Sequence, residues 1–460
     1  MISINKVSLL KNKYIYLVLA SLFILLLTVF LYPKEEDELT TNKLTATVIS
    51  SSNDTLTVRD LSSLIYTFNV NDNNYKVGDS LIIEYTGMLN KNKEYQNTTL
   101  LNIIPVSEDE ATKAERPSEN LFSQFNTLAS NKLKNMTLDE KIGQLLLVKY
   151  QSNSQNDAIK KYKVGGFIFF EDDFKDKTKK EAQDMLKNIQ SQASIPLLTA
   201  VDEEGGSVVR VSSNPKLREQ KFKSPRELYL DGGIPLIESD TKEKSALLEE
   251  LGINVNLAPV VDISTNSSDY MYDRALGEGQ EATSNYAKAV IEASKGYNVS
   301  YVLKHFPGYG NNEDTHTSSV TDDRPLSTLE ENDFKPFESA IESKAEAILV
   351  NHNIVKSIDT TSPASLSASV HNLLRNDLKF TGIIMTDDLS MKATSDIPNV
   401  VEKAILAGND IVIVADYESS FNQIKDAVEN NRISEELIDE IAHKIITWKY
   451  AKGLLYDKQK

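Results

Sequence analysis

Hydrophobic and polar positions divide the chain into three regions with different rhythms. From Tyr14 to Tyr32 nineteen consecutive residues carry no charge. As a helix that run spans about 28 Å, close to the roughly 30 Å of a bilayer's hydrocarbon core. Apolar positions then recur with period two in five short β-branched runs, Leu44–Ile49, Thr55–Val58, Ile65–Val70, Leu81–Tyr85 and Leu100–Ile104, separated by Asn, Asp, Ser and Gly clusters. They predict a small all-β module, OB-like or a sandwich. From about residue 119 strands alternate with helices. Strands are expected at Leu145–Lys149, Gly166–Phe170, Leu197–Val201, Ile253–Pro259, Tyr301–Lys304, Ala347–Asn351, Gly382–Thr386 and Asp410–Ala415. Amphipathic helices are expected between most of them, among them Lys242–Leu251, Thr283–Lys295, Phe334–Lys344, Val400–Ala407 and Phe421–Glu429. Thr137 and Glu140 form a capping-box pattern ahead of the run through Leu147. Eight strand–helix units predict an α/β fold, a (β/α)8 TIM-type barrel. No glycine-rich nucleotide loop follows the first strand, which disfavours a doubly wound sheet.

The flanks of the apolar run orient it. Lys6, Lys11 and Lys13 precede it, whereas Lys34 is followed by Glu35, Glu36, Asp37 and Glu38, so the basic tip stays in the cytoplasm and the remainder is exported. Its end, Phe30-Leu31-Tyr32-Pro33, has no small-x-small cleavage pattern, which favours a retained anchor over a cleaved signal. The expected division is residues 1–32 as cytoplasmic tip and transmembrane anchor, 33–42 as an acidic stalk, 43–105 as the β-rich module, 106–118 as a charged linker and 119–460 as the barrel. The module carries no His and no catalytic cluster, and reads as a spacer or docking element. Composition narrows the function. Sixty-seven acidic against 50 basic residues give a formal charge of −17 over 460 residues, which excludes non-specific nucleic-acid binding. The lack of cysteine removes disulfides, thiolate zinc sites, iron–sulfur clusters and a cysteine nucleophile.

In a barrel of this type reactive side chains belong at the C-terminal strand ends and the loops after them. Polar residues collect there. Asp202 ends the third expected strand, Arg274 follows the fourth, and Lys304 and His305 end the fifth. Asp314 and His316 lie in the next loop, Asn351 and His352 end the sixth strand, and Asp387 and Asp388 end the seventh. Three of the five histidines therefore sit at the mouth, while His371 and His443 fall in expected helices.

The strings VDEEGG (201–206), INVNLAPVVD (253–262), DRALG (273–277), KHFPGYG (304–310), DTH (314–316) and MTDDLSM (385–391) resemble the family 3 glycoside hydrolases, more closely their β-N-acetylglucosaminidase branch. The resemblance runs from about Thr137 to past Asp410, and leaves out the apolar run and the β-rich module. It implies a retaining exo-β-N-acetylglucosaminidase without metal or cofactor. Asp387 would be the nucleophile, a role that suits a carboxylate because it both leaves well and stabilises an oxocarbenium-like transition state. Its neighbour Asp388 would point the other way along a strand, toward a supporting hydrogen bond. His316 would be the acid/base, with Asp314 orienting it; imidazole titrates near neutrality and, once neutral, adds no second anion beside Asp387. The Gly- and Asn-rich surroundings of His316 suggest a loop that swings in with substrate. Asp202, Arg274, Lys304 and His305 would hold hydroxyls of the terminal sugar. For His352, packing behind the site and substrate contact both remain open.

Two positions depart from the family pattern: Ser207 where an Arg is common, and Tyr309 where a His is common. Resemblance and location together suggest GlcNAc-terminated peptidoglycan fragments as substrate, outside the cytoplasmic membrane of a bacterium. Alternatives keep the site but change the sugar or acceptor, as in a β-glucosidase or a phosphate-dependent enzyme. Others are a catalytically silent wall-binding protein, or a metal centre built from His305, His316, Asp314 and Asp387, whose spacing matches no metal motif. Protein partners are not legible.

Overall fold

The computed structural model describes residues 42–52, 54–60, 65–70, 74–77, 79–87, 98–106, 121–315 and 317–455. The anchor expected over 14–32 lies outside the described residues, as do most of the stalk and linker. Among the described residues no helix is long and apolar enough to cross a membrane. These residues form two compact units.

The smaller unit contains β1 (Asn42–Ser51), β2 (Thr55–Asp60), β3 (Ile65–Asn69), β4 (Ser80–Gly87) and β5 (Thr98–Val106). They pair antiparallel in the order β3-β2-β1-β4-β5. Rather than the two packed sheets of a sandwich, the described strands make one ladder, with β1 central. The period-two pattern sorts side chains as it should: Leu44, Ala46, Val48, Leu56, Val58, Tyr66, Phe68, Leu81 and Ile83 share one buried core.

The larger unit is a closed parallel barrel. Its strands are β6 (Leu146–Lys149), β7 (Gly166–Phe169), β8 (Leu198–Val201), β9 (Val255–Asn256), β10 (Ser300–Phe306), β12 (Ala347–Val350), β14 (Ile383–Asp388) and β15 (Ile411–Val414), the last pairing back to β6 through Val412 and Leu146. A two-stranded sheet, β11 (Thr321–Asp322) with β13 (Ile354–Val355), lies outside it. Every expected strand is present. The fourth is the most truncated, because Pro259 has no N–H with which to extend the ladder. Gly166 lets β7 and β8 approach, since a Cβ there would lie 2.4 Å from the Leu198 carbonyl oxygen.

Around the barrel the helices follow their apolar stripes. Leu138–Gln144 opens with both capping-box bonds formed, Glu140 N to Thr137 Oγ1 at 3.2 Å and Thr137 N to Glu140 Oε2 at 3.0 Å. Lys179–Gln192 buries Ala182, Leu186 and Ile189, one face of a helix. The expected Lys242–Leu251 helix is the latter part of Pro225–Leu251, which kinks at Gly233, where φ is +63°.

The helix Glu435–Ala451 closes the barrel's lower end. Trp448 Nε1 donates to Ser300 Oγ at 3.0 Å and to Glu346 Oε2 at 3.1 Å, at the entries to β10 and β12. Lys449, fully buried, donates to Gln144 Oε1 at 2.6 Å, Gly165 O at 2.9 Å and Pro196 O at 2.7 Å, at the entries to β6, β7 and β8. Burial pushes this ammonium down to about 7; its three acceptors, which match its three protons, pull the other way. Replacing it should leave three buried acceptors unmade, each costing about 1–3 kcal/mol. Lys449→Met is therefore expected to lower the barrel's stability by about 3 kcal/mol, read as an earlier midpoint in urea unfolding. An unchanged midpoint would mean that desolvation of the ammonium cancels its bonds.

Candidate active site

At the C-terminal ends of the barrel strands lies a cavity of about 310 Å³. Its floor is apolar, with Ile168, Leu257, Leu349 and Ile413 pointing up from β7, the β9 end, β12 and β15, and its walls are charged.

One wall is an ion cluster drawn from three strand ends. Lys304 Nζ sits 2.6 Å from Asp202 Oδ1 and 2.7 Å from Glu204 Oε1. Arg274 grips the same Glu204 with two prongs, Nε to Oε2 at 3.0 Å and Nη2 to Oε1 at 2.8 Å. Two cations and two carboxylates thus balance. Burial raises the Glu204 carboxyl, but Lys304 and Arg274 outweigh it and hold the group well below the usual carboxylate range. Burial likewise opposes the Lys304 charge, and Asp202 and Glu204 carry it above the ordinary lysine value. Asp202, less buried than Glu204, keeps oxygen surface toward the cavity.

Beside this cluster His305 is fixed by Asp262. His305 Nδ1 donates to Asp262 Oδ2 at 2.7 Å, which leaves Nε2 for the cavity, and Asp262 Oδ1 accepts the Tyr309 amide at 2.8 Å. The Tyr309 ring lies edge-on to His305 at 5.5 Å. Its hydroxyl accepts the Thr315 amide at 2.9 Å and meets Thr315 Oγ1 at 3.0 Å, and burial pushes it up to about 12. Tyr309, one of the two departures from the family pattern, thereby ties the start of the loop to Thr315. Burial raises the Tyr270 hydroxyl above its ordinary value; Arg274 opposes that shift and Asp314, itself half-buried, adds to it. His316 lies outside the described residues. Ser207, the other departure, is exposed and not among the cavity-lining residues.

Asp387 stands at the end of β14 and lines the cavity. Burial raises its carboxyl, but His352, His305, the Asp388 amide at 2.8 Å from Oδ1, and Lys304 outweigh it, so the group lies below the usual carboxylate value and is an anion. Asp388 differs from expectation. It too lines the cavity, and its Oδ1 accepts the Ser390 amide at 2.9 Å. The reason is a slip in the β14–β15 ladder between Met385 and Asp388, which breaks the strict alternation of sides. A similar slip between Leu303 and Phe306 in the β10–β12 ladder allows Lys304 and His305 both to reach the mouth. His352 is buried behind the site: its Nε2 donates to the Asp388 carbonyl at 3.0 Å, and Nδ1 meets Ser365 Oγ at 2.7 Å. Among the described residues no three His, Asp or Glu side chains converge as metal ligands.

Asp202, Arg274, Lys304, His305 and Asp387 are thus gathered around one cavity, which Tyr270, close enough to feel the Asp314 charge, also lines. Glu204 and Asp262 were in the strings that carry the resemblance but had no assigned part. Their acidity was visible; their burial between cations and against His305 was not.

The family model for the glycosyl hydrolase family 3 N-terminal domain matches residues 137–448. A β-hexosaminidase of Glaesserella parasuis is 31% identical over 296 residues, covering 62% of this chain and 84% of that protein. A β-hexosaminidase of Xanthomonas campestris pv. campestris is 26% identical over 312 residues, 66% of this chain and 92% of that one. Among solved structures, a glycoside hydrolase family 3 β-N-acetylglucosaminidase from Paenibacillus sp. str. FPU-7 aligns with a TM-score of 0.66 at 27% identity, over 71% of this chain and 64% of that chain. A barrel mouth with a half-buried, ionised Asp387 beside the charges of Asp202, Glu204, Arg274 and Lys304, in a chain whose residues 137–448 match the family model, establishes the chain as a member of the family 3 glycoside hydrolases.

Proposed function

We propose that the enzyme is a retaining exo-β-N-acetylglucosaminidase that removes terminal GlcNAc from peptidoglycan fragments. The observation that carries the reading is the anionic Asp387 in a cavity whose volume, about 310 Å³, suits one sugar ring rather than a chain of them. Asp202, Arg274, Lys304 and His305 hold the ring through its hydroxyls. Such partners discriminate strongly, because a missing hydroxyl would leave a desolvated donor or acceptor without its hydrogen bond.

Asp387 attacks the anomeric carbon and forms a glycosyl–enzyme ester as the glycosidic bond breaks. His316 gives its proton to the departing oxygen, then takes one from the water that hydrolyses the ester, with Asp314 orienting the ring. His352, His305, the Asp388 amide and Lys304 outweigh burial and keep Asp387 ionised before attack. His352 acts from behind, holding the Asp388 carbonyl and so the backbone that carries the nucleophile.

The relatives' β-hexosaminidase names support the sugar; the wall fragment as substrate rests on location. Residues 14–32 anchor the chain in a bacterial cytoplasmic membrane with the barrel outside, and the β-rich module at 43–105 spaces the two.

Two measurements test the chemistry. Asp387→Ala should reduce release of p-nitrophenol from the β-GlcNAc aryl glycoside by about 10⁴-fold with an unchanged circular dichroism spectrum. Added azide should then restore turnover by forming the α-glycosyl azide; turnover equal to wild type would sink the assignment. His316→Ala should slow substrates with poor leaving groups by about 10²–10⁴-fold, while activated aryl glycosides lose much less. Equal losses on both would remove His316 from proton transfer.

A further inference from the structure

The loop after β10 is held by a second ion cluster, built on Arg324. Its guanidinium reaches Asp322 through Nε at 3.0 Å and Nη2 at 2.7 Å, and Asp333 through Nη1, at 2.9 Å to Oδ1 and 3.0 Å to Oδ2. Asp322 and Asp333 are 1% and 3% exposed, so one guanidinium serves two carboxylates shielded from water. None of the three is among the cavity-lining residues, which leaves their ionic partners without a substrate to meet.

Each carboxylate is anchored elsewhere. Asp322 lies on β11, which β13 ties to the loop after β12: Ile354 N donates to Val320 O at 2.8 Å and Lys356 N to Asp322 O at 3.0 Å. Asp333 ends the turn Leu329–Asp333 ahead of the helix Phe334–Glu342. The chain from Gly308 is then fastened to these anchors twice. Gly308 O accepts from Arg324 Nη2 at 3.4 Å, and Asn312 Nδ2 donates to Asp322 Oδ2 at 3.1 Å and to Tyr309 O at 2.8 Å.

Two glycines of KHFPGYG are fitted to the cluster. Gly308 and Gly310 have φ of +121° and +61°. A Cβ on Gly308 would run into the Asp333 carboxylate, and one on Gly310 would lie 2.6 Å from Arg324 Cζ. Only glycine lets the backbone turn this way and pass so close to the charges. Farther along, the Thr315 amide donates to the Tyr309 hydroxyl at 2.9 Å and its carbonyl accepts the Ala393 amide at 3.3 Å. Asp314 therefore stands between fixed points at residues 312 and 315.

We infer that Arg324 is a positioning residue for proton transfer: by dividing its guanidinium between Asp322 and Asp333 it sets the loop 308–315 so that Asp314 and His316 meet the departing oxygen. The inference rests on the acid/base role proposed for His316. Lysine is no substitute, because a point charge lacks the planar fork that spans two carboxylates and a carbonyl. Proton donation matters most when the leaving group is poor, so a misplaced loop should spare substrates whose leaving group departs unaided.

The test uses the full chain and two β-GlcNAc aryl glycosides compared in kcat/KM, a dinitrophenyl one that departs unaided and a methoxyphenyl one that needs a proton. Arg324→Lys should slow the methoxyphenyl substrate by about 10- to 100-fold, as misplaced catalytic groups do, and the dinitrophenyl substrate by no more than about twofold. Asn312→Ala, at a half-buried position, removes one tie without removing a charge, and should give a smaller loss with the same preference. It decides the matter if Arg324→Lys fails to fold. Equal losses on both substrates, or none, would overturn the inference. In a His316→Ala background Arg324→Lys should cost nothing more, and a full additional loss would also overturn it. Deuterium exchange of the amides of residues 310–315 should quicken in both variants while β14 is unchanged; unchanged exchange in the loop would overturn the role of Arg324 whatever His316 does. Should His316→Ala itself show no leaving-group preference, the acid/base reading fails, whereas a preference in His316→Ala that both loop variants lack refutes the role of Arg324 alone.

Discussion

A single buried ammonium, Lys304, organises the mouth of the barrel. It is 3% exposed, and Asp202 and Glu204 outweigh the burial that opposes its charge. Glu204, in turn, is held ionised by Lys304 and by the two prongs of Arg274. Each charge is tolerated only because the others are present, and breaking one partner of such a cluster typically costs about 3–5 kcal/mol. The residues come from the ends of β8 and β10 and the loop after β9, so the cluster stitches adjacent parts of the rim together. This rigidity places Asp202 and Arg274 before any sugar arrives, and it sets Lys304 beside Asp387 as one of the charges that keep it an anion.

Backbone irregularity does what charge alone could not. A regular strand would send Lys304 and His305, or Asp387 and Asp388, to opposite faces. Slips in the β10–β12 and β14–β15 ladders bring both members of each pair to the cavity. The irregular ends are then braced from behind. Asp262 takes His305 Nδ1 and the Tyr309 amide, and His352 donates to the Asp388 carbonyl. Chemistry-bearing side chains are therefore fixed by polar groups that never face the cavity.

That division explains what could be read in advance. Period-two runs and amphipathic stripes located all eight barrel strands and the five strands of the small unit, because those patterns reflect which face is buried. The clustering of Asp202, Arg274, Lys304, His305 and Asp387 was legible since barrel geometry dictates where strand ends meet. Glu204 and Asp262 were not, because an acid gains its part from partners distant in sequence: Glu204 from residues 70 and 100 positions away, Asp262 from one 43 away. Asp388 escaped because a ladder slip leaves no trace in an alternating pattern. Tyr309 looked like a departure, yet its hydroxyl supplies a loop tie that only folding reveals.

The two buried lysines of the barrel make the asymmetry of the fold concrete. Lys449 at the lower end meets an amide oxygen and two carbonyls, all neutral, and burial pushes it down to about 7. Lys304 at the upper end meets two carboxylates, which carry it above the ordinary lysine value despite comparable burial. Neutral acceptors use the ammonium as a staple across the entries to three strands and leave no field for a substrate to feel. Carboxylate partners instead keep the charge permanent and create a polar wall whose oxygens can turn toward hydroxyls. The same side chain thus ties strand entries together at one end and anchors an ion cluster on the cavity wall at the other, and what distinguishes the two is the charge of its partners.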